Sequence, residues 1–112
     1  MKHTDLTYLK EISNGSDTFI TEMLTIYLKE MPDALSRIEM HLQNKDWKLL
    51  HAVLHKIKPS ISFVGLKEIE GILREAEEYA ATETNLDKLP DMIVKIIAIS
   101  NEAMKELREE LK

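Results

Sequence analysis

Residues 51–66 read HAVLHKIKPSISFVGL, and the phase of their apolar side chains decides the fold class. Counted from Trp47, the positions Trp47, Leu50, Leu54, Ile57, Ile61 and Val64 recur at gaps of three and four. That spacing draws one apolar stripe along an α-helix. His51, His55, Lys58 and Ser62 recur at the same spacing on a different stripe. Each helical residue turns by about 100°, so His55 points well away from the Leu54 line. The stretch is therefore a helix with a core-facing back and an outward face carrying two imidazoles and an ammonium group.

The stripe holds its phase through Pro59, which predicts one kinked helix from Trp47 to Val64 rather than a stop at Lys58. An interior proline costs roughly 3 kcal/mol, because it donates no hydrogen bond and its ring crowds the carbonyl four residues back. That carbonyl belongs to His55. Asp46 is placed to cap the helix at its N-terminus, and Gly65 supplies the left-handed residue that closes it.

Outward from this helix the pattern remains helical. On the N-terminal side, Leu6, Leu9 and Ile12 mark a short helix over Asp5–Ile12, with Thr4 or Asp5 as cap, and Asn14-Gly15-Ser16 is a turn. Ser16 or Asp17 then caps a long helix carrying Phe19, Ile20, Met23, Leu24, Tyr27 and Met31. Pro32 either kinks it or opens a new one, and the apolar face continues to about Gln43. On the C-terminal side, Leu66, Ile69, Leu73, Ala76 and Ala80 line the next helix. It follows with almost no loop, so it must fold back antiparallel and bring Glu77 level with His55. There Glu77 either orients the imidazole or belongs to a solvated acidic face with Glu70, Glu75 and Glu78; the solvated face is the marginally preferred reading. A loop over Thr82–Asn85 leads to a last long helix marked by Leu89, Ile93, Ile96, Ala103 and Leu107, with Pro90 near its start. The expected fold is all-α: an antiparallel four-helix bundle with one or two additional N-terminal helices packed across one end. The whole chain, residues 1–112, reads as one domain.

Composition narrows the function. Only three glycines and three prolines punctuate 112 residues, of which 44% are hydrophobic. A formal charge of -5 argues against nucleic acid and against an anionic membrane surface as partners. There is no cysteine, which excludes disulfides and thiolate metal sites. No run approaches the roughly 20 apolar residues of a membrane span, and nothing near Met1 resembles a signal peptide. The default location is cytoplasmic and the default state a monomer.

His55 concentrates the chemistry, and four uses compete for it. It can be an ordinary surface residue. It can pair with His51, four residues away, on a metal ion, with His41 or a carboxylate as a third ligand. It can act as a general acid or base, although no nucleophile elbow, phosphate loop or cleft accompanies it. Or its own ring nitrogen can accept a phosphoryl group. That last use needs access, a nearby cation such as Lys58, and small neighbours such as Ser60 and Ser62.

The run His55-Lys56-Ile57-Lys58-Pro59-Ser60, followed by Gly65, resembles the signature of histidine-containing phosphotransfer (HPt) domains. That signature typically reads His-x-Leu-Lys-Gly-Ser with a further glycine ten residues after the histidine. His55 matches its phosphoryl-accepting histidine, Lys58 its lysine, Ser60 its small residue and Gly65 the later glycine; Asp46-Trp47 matches the Asp-plus-aromatic start of the helix. The departure is Pro59, where the family has a glycine thought to leave room for the partner.

The resemblance implies a phosphorelay intermediate without self-sufficient catalytic machinery. His55 would take a phosphoryl group from a receiver-domain aspartate and pass it to a second receiver, and Lys58 would stabilise it. Ser62, Ser60, Pro59, Gly65 and Glu77 would support the site. His51 and Lys56 would help dock response-regulator receivers or a hybrid histidine kinase, together with the helix from Ser16 to Met31. No cofactor or metal would bind here, Mg²⁺ being the receiver's. A helical module that binds receivers or kinases without carrying phosphate is the alternative, and a histidine-based metal site the third reading.

Overall fold

The computed structural model describes residues 3–111. It contains α1 (Thr7–Ile12), α2 (Asp17–Gln43), α3 (Trp47–Phe63), α4 (Lys67–Thr82) and α5 (Leu89–Glu110), with one 3-10 turn at Leu86–Lys88. No strand occurs among the described residues. Two of the helix starts follow directly from side chains. Ser16 Oγ accepts the Phe19 N–H at 3.2 Å and Asp46 Oδ1 accepts the Leu49 N–H at 3.2 Å. Each satisfies a donor that the first helical turn leaves without an intrahelical partner.

Both interior prolines are absorbed. α2 passes through Pro32 and α3 through Pro59 without a break, so the phase of the apolar stripe outweighed the local cost of proline. In α3 this leaves the His55 carbonyl without its usual helical donor.

The four long helices close a ring: α3 packs on α2 and on α4, α4 on α5, and α5 on α2. Leu50, Leu54 and Ile61 of α3 are fully buried at the centre, with Ile57 beside them, facing Leu73 and Ala76 of α4 and Leu35 and Ile38 of α2 in one core. Burying each such Leu or Ile contributes about 1.5–3 kcal/mol. The core fixes the rotation of α3 about its axis and hence which residues it turns outward.

A single short helix precedes this ring, and it starts two residues later than the Asp5–Ile12 expectation. Leu6, with no side-chain bond, occupies the cap position, and neither Thr4 nor Asp5 caps α1. Asp5 still serves the first turn from outside the cap position: its carboxylate accepts the N–H of Thr7, the first residue of α1 (3.0 Å), while its own N–H donates to the Val64 carbonyl at the α3–α4 turn (2.9 Å). Thr4 and His3 are tied to the Glu106 carboxylate of α5 through their backbone N–H groups and the Thr4 hydroxyl, at 2.9–3.0 Å. The N-terminal segment thus straps the α3–α4 turn to α5. Gly65, at φ +68°, sits under the strap; a Cβ there would lie 2.3 Å from the Asp5 carbonyl oxygen.

Candidate functional site

Packing of Leu50, Leu54, Ile57 and Ile61 leaves two flanks of α3 at the surface, one toward α4 and one toward α2. His51, His55, Lys58 and Ser62 lie on the α4 flank. The His55 side chain is 69% exposed, which a group that must meet a partner requires.

α4 answers this flank with one residue. Glu77 is buried beside Leu73, Ala76 and Ala80, its side chain only 10% exposed. Its Oε1 accepts from His55 Nδ1 at 2.6 Å and its Oε2 from Lys58 Nζ at 2.9 Å. Its backbone carbonyl accepts from His51 Nδ1 at 3.1 Å. Glu77 therefore holds all three basic side chains at once. The solvated-face reading is corrected: Glu75 and Glu78 are exposed and Glu70 half-exposed, but Glu77 turns inward to α3. The signal was present in the sequence, since Leu73, Glu77 and Ala80 share the spacing of the buried stripe. The habit of placing glutamates outside hid it.

The electrostatics of the trio follow from this geometry. Burial pushes the Glu77 carboxyl up, but hydrogen bonds from Lys58 and His55 and the charge of Lys58 outweigh it. The net value lies below the ordinary 4.5. Glu77 is thus a carboxylate at neutral pH, and a carboxylate only accepts. The proton between it and His55 must then sit on Nδ1. In the neutral ring that fixes the tautomer, with the lone pair on Nε2.

Other expected site residues divide between the flanks. Lys58, Pro59 and Ser62 line a shallow depression with Glu70, Leu73 and Arg74; Arg74, an exposed cation of α4, was not singled out from the sequence. Lys56 and Ser60 lie on the opposite flank, in a groove of about 410 Å³ between α2 and α3 lined by Met23, Ile26, Tyr27 and Phe63. Gly65 lies ten residues beyond His55, roughly 15 Å along the helix axis, beneath the N-terminal strap. His41 is buried at the end of α2. Among the described residues, no three His, Cys, Asp or Glu side chains converge as a metal site would require.

Against known families, residues 22–112 match the Hpt domain. The chain belongs to the Hpt domain family. The match starts within α2 and covers the whole of α3 and α4, so the site described above falls inside it. Hpt domains are phosphocarrier modules of histidine phosphotransfer in phosphorelay signalling rather than classical enzymes, and they work with receiver domains and kinases of two-component systems. No curated protein and no solved structure matched the chain. Among the described residues, no helix is long and apolar enough to cross a membrane.

Proposed function

We propose that His55 is the phosphoryl-carrying residue of this Hpt domain, taking the group from a receiver-domain aspartyl phosphate and passing it to a second receiver. The observation that carries the reading is the His55–Glu77 pair: Nδ1 anchored at 2.6 Å on a buried carboxylate, on a ring otherwise open to solvent. The frame that presents it is an antiparallel four-helix bundle of α2–α5 with α1 across one end.

The Nε2 lone pair of His55 attacks phosphorus, and the bond from phosphorus to the donor aspartate oxygen breaks with its electrons remaining on that carboxylate. The ring, now bonded at Nε2 and still protonated at Nδ1, is cationic. Glu77 stabilises that cation through the shared Nδ1 proton. A cationic ring is also the better leaving group, so the same contact favours onward transfer. Lys58, one turn from His55, shifts from Glu77 toward the phosphoryl oxygens. Mg²⁺ belongs to the receiver in this reading, and this chain contributes alignment of an in-line transfer.

Docking would use the outer faces of α3 and α2. Exposed Phe19, Ile26 and Leu49 offer apolar contact, His51 adds a polar ring to the docking face, and Lys56 brings positive charge toward an acidic receiver pocket despite the negative total. Incubation with a phosphorylated receiver tests the reading. Wild type should acquire an acid-labile, base-stable label that His55→Gln does not. A folded wild type that takes no label from several receivers would support the binding-only module instead.

A further inference from the structure

The His51 ring has a place in the site that docking does not explain. Its Nδ1 lies 3.1 Å from the Glu77 carbonyl oxygen. A carbonyl only accepts, so this nitrogen carries a proton. The ring is thereby held nearly parallel to that of His55, with centroids 6.1 Å apart and planes inclined by 25°. Both imidazoles are pinned to one residue of α4 by the same nitrogen, and both turn Nε2 away from it. A phosphoryl group on His55 Nε2 therefore stands beside His51 Nε2.

We infer that His51 is a second holding group for the phosphoryl group on His55, gaining a proton at Nε2 and facing the phosphoryl oxygens as an imidazolium. The inference rests on the phosphocarrier reading of His55 and adds a positioning residue to it. The proton comes from solvent, and no bond other than that N–H is made. Among the described residues, the ionisable groups near His51 lie on α3 and α4. On α3 they are Lys48, His55 and, beyond His55, Lys58; on α4 they are Glu77 and its neighbour Glu78, while Arg74 lies with Lys58 and Ser62. Glu77 is already committed to His55 and Lys58, so phosphorylation adds a phosphoryl dianion on a cationic His55 ring, a net single negative charge. At about 6 Å in a water-like dielectric, that net charge raises the neighbouring imidazole by about half a pKa unit. By reciprocity, protonation of His51 favours the phosphorylated state up to about threefold.

The test uses the full chain and phosphoramidate, a small donor that needs no protein partner. Nε2 displaces ammonia from it as the new N–P bond forms. Ring ¹⁵N resonances of His51 are followed from about pH 6 to about pH 9 with and without the label, and the ³¹P resonance is followed in wild type and His51→Gln. The expected result is a His51 midpoint about half a unit higher in the phosphorylated protein, and a matching step in the ³¹P profile that His51→Gln lacks. Phosphorylation of His55 with an unmoved His51 midpoint and identical ³¹P profiles would overturn the inference and leave the carrier reading standing. Absence of label on His55 would overturn both.

Discussion

Glu77 decides what the site can do, because one side chain sets the tautomer of His55 and parks Lys58. Glu77→Ala should therefore slow phosphoryl transfer without unfolding the domain. Losing a charge-assisted hydrogen bond of about 1.5–3 kcal/mol corresponds to roughly 10–100-fold in rate. Rapid-quench transfer kinetics check this, and a rate within twofold of wild type would remove Glu77 from the mechanism. Lys58→Ala should slow transfer while leaving His55 reactive, since the ammonium assists the phosphoryl group but forms no bond to it. A variant with wild-type rates would contradict that role. Tyr27 is a residue of the opposite kind. Its hydroxyl is buried without a hydrogen-bond partner among the described residues, and burial pushes its ionisation upward. Tyr27→Phe should then be neutral or stabilising by about 1 kcal/mol in chemical denaturation. His55, Lys58 and their shared helix face were legible in the sequence because 3.6-residue periodicity separates outward from inward positions. The role of Glu77 was less legible, because its partners come from another helix and a charge on a buried stripe contradicts the usual pattern.

At the scale of elements, α3 and its closing turn carry the most information. The expectation of one helix through Pro59 held because Leu54, Ile57 and Ile61 keep a single phase across it, and the core rewards that phase more than proline penalises it. The start of α1 was not legible in the same way. Asp5 looks like a cap, yet its backbone is drawn to the Val64 carbonyl, a contact that sequence spacing cannot display. The same contact explains Gly65. Its left-handed backbone and the 2.3 Å approach of the Asp5 carbonyl to any Cβ combine two penalties. Gly65→Ala should cost roughly 2–4 kcal/mol, measured by urea unfolding. A loss below about 1 kcal/mol would mean that the strap moves aside at little cost. On this geometry the glycine serves the turn and the strap, and reaches His55 only through the helix between them.

For the whole molecule, Glu77 and Glu106, two carboxylates that join distant segments, contribute to the acid limit of stability. Glu77 joins α4 to α3, and Glu106 joins α5 to the N-terminal strap. In both, burial raises the carboxyl, while hydrogen bonds, from Lys58 and His55 or from Thr4 and His3, bring the net value below the ordinary 4.5. A carboxyl held low in the folded state stabilises it above the unfolded value, and that contribution is lost as pH falls through the folded value. Thermal stability should therefore decline below about pH 4.5, the ordinary value of both groups. Glu106→Gln should show a shallower decline than wild type, and equal slopes would contradict this assignment.

The central claim is that the fold exists to present Nε2 of one histidine to a partner. The measurement that tests it most directly is ³¹P and ¹⁵N NMR of the chain after transfer from a phosphorylated receiver domain, which identifies both the residue and the ring nitrogen. The account predicts a single phosphorylated histidine, His55, bonded to phosphorus at Nε2 with Nδ1 still coupled to Glu77. Phosphorus at Nδ1 of His55, or on His51 instead, would contradict it.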